Sequence, residues 1–195
     1  MATLILPCAG NSSRYTETIP KFLLKNPLYD SLIMVACSIK GFPIDDYDKV
    51  CVVILEEHEK KYNATKEIED NFEKIGLKDK LTVSIIKVSD SAADTVSQCI
   101  TQESIEGLII IKDCDDYFTV DGIGPNEIAT VSLNDCGKIH ASNKSYVSKN
   151  EEGLVLNIVE KQVISSDFCC GLYTFQQAKK FIEAHNEIKS YGCLL

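Results

Sequence analysis

Apolar runs alternate with helical patterns along the first half of this chain. Short apolar-rich runs at residues 4–6, 50–55, 81–88 and 107–112 are typical of strands that are buried on both faces. Between them, residues 31–40 and 56–75 carry apolar side chains at helical spacing, and Gly41 and Gly76 follow as helix stops. This alternation predicts parallel strands joined by helices.

The second half of the chain carries a different pattern. Strands are predicted at 127–133, 154–159 and 168–175, and a helix is predicted at 176–188. The Asn-Glu-Glu-Gly segment at 150–153 predicts a hairpin turn. We therefore predict a single α/β domain with a Rossmann-like fold. Its mixed, mainly parallel central sheet would be flanked by helices, with halves at about residues 1–120 and 121–195.

Composition and charge exclude several classes of protein. Hydrophobic residues make up 45% of the 195 residues, and the formal net charge of −9 argues against nucleic acid or an anionic membrane as a partner. The amino end lacks a basic signal-peptide region, and no apolar run approaches the ~20 residues of a membrane helix. Nine scattered cysteines without a C-x-x-C pair favour a reducing compartment, so we expect a cytoplasmic protein.

The loop after the first strand has the composition of a phosphate-binding loop. Its residues are mostly small, so backbone N–H groups and hydroxyls could approach a phosphate. Arg14 and Lys21 follow and would add positive charge. The alternative is an ordinary strand-to-loop turn whose two cations are solvated.

A second candidate site follows the apolar run at 107–112, which ends in the carboxylates Asp113, Asp115 and Asp116. Ligands of open α/β sheets bind at the carboxyl ends of the strands, where these residues would lie. Crowded carboxylates favour a cation, and Mg²⁺ is commonly held by one or two carboxylates together with substrate phosphates. Asp113 and Asp115 would project to the same side of an extended segment. The alternative is an acidic turn that caps a helix.

Five segments resemble the sugar-phosphate nucleotidyltransferases (pyrophosphorylases). The opening, L-I-L-P-C-A-G-N-S-S-R-Y followed by P-K-F-L, is similar to the branch with the pattern I-P-x-A-G-x-x-S-R-[FY] and P-K-x-L. The segment at 91–96 resembles G-A-A-x-T-V, and D-D-Y-F at 115–118 resembles the segment that holds the metal-binding aspartate. The segments at 160–161 and 171–175 resemble E-K and G-x-Y-x-F. The resemblance spans most of the chain and implies the fold of nucleotide-diphospho-sugar transferases.

This resemblance implies a transferase that acts on small molecules. A phosphate of the acceptor would attack the α-phosphorus of a nucleoside triphosphate, release pyrophosphate and leave a nucleotide-activated product of the kind used in nucleotide-sugar and polysaccharide biosynthesis. The cofactor would be Mg²⁺ (or Mn²⁺). Residues 1–120 would bind the nucleotide, and residues 121–195 would bind the phosphorylated acceptor.

The same resemblance implies roles for individual residues. Arg14 would neutralise the departing pyrophosphate, Lys21 would hold the α-phosphate and the acceptor phosphate together, and Asp115, assisted by Asp113, would hold the metal ion. The nucleotide-binding residues would be Pro7, Ala9, Gly10, Asn11, Ser12, Ser13, Ser91 and Ala92, and the acceptor-binding residues would be Glu160, Lys161, Gly171 and Tyr173.

Two of these assignments also depend on local geometry. Ser91 and Asp94 have the spacing of a capping box, so Ser91 could serve the helix, the ligand or both. Because side chains alternate along a strand, we expect Glu160 and Lys161 on opposite sides unless the strand bulges, with Lys161 on the acceptor phosphate.

Departures from the family pattern leave alternatives open. Ser12 and Ser91 stand where the family usually has glycine. We find no second metal ligand after the helix that follows G-x-Y-x-F, so either the chain is shortened or the metal site is incomplete, with Asp113 compensating in part. The alternatives are a glycosyltransferase with an Asp113-Cys114-Asp115 metal motif and a catalytically silent nucleotide-binding module.

Overall fold

The computed structural model of the chain describes residues 1–10, 19–43, 47–120 and 122–191. Within these residues the strands are β1 (Ala2–Pro7), β2 (Lys25–Asn26), β3 (Leu32–Ile33), β4 (Lys49–Leu55), β5 (Leu81–Ile86), β6 (Leu108–Lys112), β7 (Ile128–Ser132), β8 (Ser145–Lys149), β9 (Val155–Glu160) and β10 (Asp167–Phe175). The α-helices are α1 (Met34–Ser38), α2 (Glu56–Tyr62), α3 (Ala64–Lys74), α4 (Ala92–Gln102) and α5 (Ala178–Ser190).

In the described part of the chain, the central sheet joins eight strands in two sections. The parallel section has the order β5, β4, β1 and β6. In the antiparallel section, β10 pairs with β6, β7 and β8 pair with β10, and β9 forms the outer edge beside β8. The predicted α/β fold with a mixed central sheet flanked by helices is confirmed.

Helices cover both faces of the parallel section. On one face Leu4 of β1 belongs to the same apolar cluster as Phe72 of α3, and on the other Ile5 packs with Val96 of α4 and Ala178 of α5. Leu4 and Ile5 have no exposed surface. Full burial of a side chain of this size contributes roughly 1.5–3 kcal/mol to the stability of the fold, which explains why these strands are continuously apolar in sequence.

Among the described helices, none combines the length and apolar content that a membrane span requires.

Two predicted helices are shorter than expected. Residues 31–40 form β3 and the five-residue helix α1, and residues 56–75 divide into α2 and α3 at Asn63. Asn63 has a left-handed backbone with φ 48°, which asparagine tolerates better than most residues. The sequence analysis also missed β8, whose Ser-Tyr-Val-Ser-Lys sequence lacks strict alternation. In the second half, the three predicted strands and the helix lie within two residues of the observed bounds.

The hairpin of β8 and β9 is the most open part of the described sheet. Its turn lies at the predicted position, where the Gly153 N–H donates to the Asn150 carbonyl at 3.0 Å and Gly153 adopts φ 82°. Apolar side chains around and within β9 stay exposed, including Leu154 at 60% and Leu156 at 67%. The antiparallel section therefore ends in a strand that the rest of the described chain does not cover.

Candidate active site

Two loops meet at the carboxyl edge of the parallel strands. β1 and β6 are neighbours, with Ile5 opposite Ile111, so the chain leaves both strands at the same edge. Cys8, just after β1, shares a side-chain hydrogen bond with Cys114, and burial raises the pKa of the Cys8 thiol well above its usual value. The segment after β1 thus contacts the acidic loop, residues 113–116, as their positions in the sequence predict.

The described part of the predicted phosphate loop ends at Gly10. Pro7 ends β1, and Ala9 is buried. Among the described residues, no atom lies within 4 Å of the point where a Cβ on Gly10 would stand. Asn11, Ser12, Ser13 and Arg14 lie outside the described residues, and their roles stay predictions.

Lys21 reaches the acidic loop from a distant part of the chain. It begins the 3₁₀ turn Lys21–Leu23, whose other two side chains are buried in the core. Its Nζ atom forms an ion pair with Asp115, and both side chains are more than one-third exposed. Ion pairs this exposed contribute only ~0–1 kcal/mol, so ligands could separate the two charges at little cost. The structure thereby brings together two residues to which the resemblance gives central roles.

Asp113 and Gly171 fit closely against each other. The Asp113 N–H donates to the Gly171 carbonyl at 2.8 Å, and a Cβ on Gly171 would stand 2.5 Å from Asp113 Oδ2. Gly171 also has φ 83°, so the position requires glycine for two reasons. Desolvation, followed by the charges of Asp116 and Asp115, raises the pKa of Asp113 to about 6. The observed role of Gly171 is to leave room for Asp113, and its predicted contact with an acceptor stays a prediction.

Lys112 is a charged residue at this edge that the sequence analysis missed. It ends β6, its side chain is fully buried, and its Nζ atom lies 2.6 Å from Asp116 Oδ1. The only indication in the sequence was that a lysine ends an otherwise apolar strand. Alternation places its side chain on the face opposite to Asp113, inside the core. A buried ammonium group costs several kcal/mol of stability unless partners offset it, and Asp116 is such a partner for Lys112.

Ser91 caps the helix that begins at this edge. Its hydroxyl accepts a hydrogen bond from the Asp94 N–H at 3.1 Å, which confirms the predicted cap, and Ala92 is the first residue of α4. Although burial acts to raise the pKa of Asp94, hydrogen bonds from Lys189 and Gln98 lower it below the usual value. Ser91 therefore has a structural role in α4, and its contact with a nucleotide stays a prediction.

Glu160 and Lys161 pair with each other at the end of β9. The ion pair measures 2.6 Å, and the side chains are 69% and 61% exposed. The expectation that the two side chains point to opposite sides is wrong because Lys161 leaves the strand with a left-handed φ of 60°. The Lys161 N–H donates to the Lys144 carbonyl at 2.8 Å, which supports this turn.

Tyr173 and Lys144 flank Asp113 from the antiparallel section. Tyr173 lies opposite Ile111, and burial, with the neighbouring Cys169 and Asp113, raises the pKa of its phenol. Tyr173 packs against the apolar cluster that α4 and α5 cover, so it contributes to the core whatever it contacts besides. Lys144, which the sequence analysis missed, lies 5.3 Å from the centre of the Phe168 ring, and its charge acts to lower the pKa of Asp113.

The acidic loop has the donor chemistry that suits a divalent cation. Asp113 and Asp115 present carboxylate oxygens, and desolvation, followed by the charges of Asp116 and Asp115, disfavours the ionised form of Asp113. Among the residues that the structure describes, no group of three or more His, Cys, Asp or Glu side chains is arranged to hold a metal ion. Mg²⁺ commonly combines one or two carboxylates with phosphate oxygens and water, so the two carboxylates of the loop suit such a site.

No protein-family model matches the sequence, and a search of curated proteins found no match. Solved structures do match the fold. A nucleoside-diphosphate-sugar pyrophosphorylase from Vibrio cholerae RC9 superposes with a TM-score of 0.74 at 18% identity, over 94% of this chain and 77% of that one. The inositol-1-phosphate CTP transferase from T. maritima gives 0.69 at 14% identity, over 92% and 71%. A UDP-glucose pyrophosphorylase complexed with UDP-glucose gives 0.68 at 15% identity, over 96% and 80%. The chain therefore shares the fold of these nucleotide-sugar pyrophosphorylases and of the CTP transferase.

Proposed function

We propose that the chain is a nucleotidyltransferase that transfers a nucleoside monophosphate from a nucleoside triphosphate to a sugar phosphate or a related phosphorylated metabolite. The observation that carries this proposal is the convergence of Lys21, Asp113 and Asp115 beside the loop after β1. A cation and two carboxylates next to a loop of small residues are the groups that a metal-bound triphosphate needs. The three structural neighbours, two pyrophosphorylases and a CTP transferase, support the same type of reaction.

The reaction needs no nucleophile from the protein. A phosphate oxygen of the acceptor attacks the α-phosphorus in line with the bond to the bridging oxygen of the β-phosphate. That bond breaks, and its electron pair leaves with pyrophosphate. The protein must position the reactants and stabilise the charge that develops on the phosphate oxygens. Mg²⁺ or Mn²⁺ held at Asp115 and Asp113 would supply positive charge beside those oxygens.

Lys21 would exchange one partner for another during this reaction. In the resting protein it neutralises Asp115, and a triphosphate that arrives with its metal ion offers each of them a new partner. Lys21 would then bind the α-phosphate and the acceptor phosphate, while Asp115 binds the metal ion. Arg14 would bind the departing pyrophosphate, with Pro7, Ala9, Gly10, Asn11, Ser12, Ser13, Ser91 and Ala92 around the nucleotide.

The acceptor would lie toward the antiparallel section. Lys161 would bind its phosphate and Glu160 one of its hydroxyl groups, because both charges are exposed at the end of β9. Lys144 would add a second positive charge on this side, because its Nζ atom lies over Phe168 and its charge acts on Asp113.

Pyrophosphate release is the direct test. The protein would be incubated with Mg²⁺, each of the four common nucleoside triphosphates and a panel of phosphorylated metabolites. We expect release that requires both a triphosphate and a phosphorylated acceptor. Triphosphate binding without turnover on any acceptor would favour the silent module, whereas sugar transfer from a nucleotide-sugar would favour the glycosyltransferase. Either outcome would overturn the proposal.

A further inference from the structure

A fully buried lysine lies directly beneath the acidic loop. Lys112 is the last residue of β6, and its side chain has no exposed surface. Ile110, two residues earlier on the same face of the strand, packs in the apolar core. An apolar side chain would fit this position without the desolvation cost of an ammonium group. The lysine therefore serves a purpose other than filling space.

Within the described residues, the hydrogen bonds of Lys112 Nζ all run to the acidic loop. The ammonium group donates to the main-chain carbonyls of Asp113 and Asp116, each at 3.0 Å, and to Asp116 Oδ1 at 2.6 Å. Its Nζ atom also lies 4.4 Å from the centre of the Phe118 ring, just beyond the loop. Because one ammonium group bonds to the first and the last residue of the loop, it fixes the distance between the two ends.

These contacts separate the three aspartates into two kinds. The carboxylate of Asp116 accepts a hydrogen bond from Lys112 Nζ, although its side chain stays 34% exposed. Asp113 lies at the edge against Gly171, and Asp115 reaches Lys21. Two carboxylates, Asp113 and Asp115, therefore lie at the sheet edge, and the third, Asp116, binds Lys112.

We propose that Lys112 is a positioning residue for the cation site: it closes the acidic loop around its ammonium group, directs Asp113 and Asp115 to the sheet edge and withholds Asp116 from the metal ion. The inference rests on the proposed function, because it assumes that a divalent cation and a nucleoside triphosphate bind at this edge. It adds a residue from the core and removes Asp116 from the set of possible ligands.

The first test replaces the ammonium group and keeps the length of the side chain. Lys112→Met would be compared with Lys49→Met, a control at the start of β4 that removes a half-buried lysine paired with Glu103 at 3.4 Å. The probe is Mn²⁺ titrated by electron paramagnetic resonance in the presence of each of the four common nucleoside triphosphates. We expect Lys112→Met to stay folded by circular dichroism and to lose about tenfold in Mn²⁺ affinity, as other residues that support metal ligands do. A folded Lys112→Met with wild-type affinity would overturn the proposal, as would an equal loss in Lys49→Met.

Hydrogen exchange supplies a readout that does not depend on a ligand. Amide exchange of residues 113–118 should accelerate in Lys112→Met, because the loop carbonyls lose their common donor, and should be unchanged in Lys49→Met. If Lys112→Met does not fold, Lys112→Met/Asp116→Leu also removes the carboxylate left without its partner and takes its place in both measurements. Unchanged exchange across the loop in a folded variant would refute the positioning role, even if the wild-type chain binds no triphosphate and the proposed function itself fails.

The role of Asp116 has its own test. Asp116→Asn should keep most of the Mn²⁺ affinity measured with triphosphate, because the two carbonyl bonds of Lys112 remain, whereas Asp115→Asn should lose it. An equal loss in the two variants would make Asp116 a metal ligand and contradict the assignment.

Discussion

The acidic loop and the acceptor turn, Glu160–Lys161, both place charged residues at the end of a strand, yet their surroundings differ. The acidic loop lies on the parallel section, where Lys112 bonds to it from below, Lys21 pairs with Asp115 and Gly171 leaves room for Asp113. The acceptor turn ends the outer hairpin, and its two side chains pair with each other while more than 60% exposed.

The difference is one of preorganisation. The acidic loop is partly ordered before a ligand arrives, because Lys112 bonds to its main chain at both ends and Asp113 fits against Gly171. The two charges of the acceptor turn pair with each other while exposed, and such an ion pair contributes only ~0–1 kcal/mol, so we expect a ligand to order them on binding. We therefore expect large effects from substitutions at the acidic loop and small effects from those at the acceptor turn.

The largest effect is expected from Lys21→Ala. Removing one preorganised charge typically raises a reaction barrier by about 2.7–4 kcal/mol, so turnover should fall by roughly 10²–10³. The melting temperature should stay nearly unchanged, because the lost ion pair is partly exposed. Lys25→Ala removes a lysine from a surface pair with Glu67 at 3.2 Å and serves as the control in the same pyrophosphate assay. Near-wild-type turnover in Lys21→Ala would show that Lys21 does not stabilise the reacting phosphates.

Asp115→Asn tests the carboxylate that Lys21 contacts. The substitution keeps the shape of the side chain and removes the charge that would attract a divalent cation. We expect the loss of metal-dependent triphosphate binding, measured by calorimetry with and without Mg²⁺. Asp113→Asn should weaken this binding without abolishing it. Equal Mg²⁺ dependence in the wild type and Asp115→Asn would show that the acidic loop is not the cation site.

The sequence predicted the parallel section better than it predicted the details of the site. Buried strands are continuously apolar, so β4 and β6 could be located from composition. The resemblance singled out Lys21 and Asp115, and the structure places these two side chains together, while their roles stay predictions. The hydrogen bonds of Lys112 could not be predicted, because they depend on how the acidic loop curves back over the end of β6. The turn at Lys161 was missed for a similar reason, since a left-handed φ at a lysine has no signal in sequence.

Lys161→Ala probes the acceptor turn and should have a smaller effect. The side chain is 61% exposed, so we expect the apparent KM for the acceptor to rise about tenfold, which corresponds to roughly 1.4 kcal/mol. Triphosphate affinity measured without acceptor should stay the same. Loss of triphosphate binding would move Lys161 to the nucleotide side. An effect as large as that of Lys21→Ala would show that exposure is a poor guide to function in this fold.

The smallest expected effect concerns the pH dependence of stability in the parallel section and the helices that cover it. His58 is only 6% exposed, its ring centre lies 5.3 Å from that of Phe22, and its Nδ1 accepts a hydrogen bond from the Leu55 N–H at 3.4 Å. Burial lowers the pKa of His58 below 6.5, so the unfolded chain takes up this proton before the folded chain does. Stability should therefore fall as the pH drops through about 6.5, by at most about 1.4 kcal/mol per pH unit.

His58→Asn isolates this contribution, because asparagine can still accept from Leu55 and does not titrate. The melting temperature of the wild type should fall more between about pH 7.5 and 5.5 than that of His58→Asn, since other titrating groups act in both proteins. His140→Asn, at an exposed histidine in the second half, should follow the wild type. If His140→Asn reduced the change of melting temperature with pH and His58→Asn did not, the pH-sensitive contacts would lie outside the parallel section and its helices. The pH dependence of stability would then not depend on burial in the parallel section.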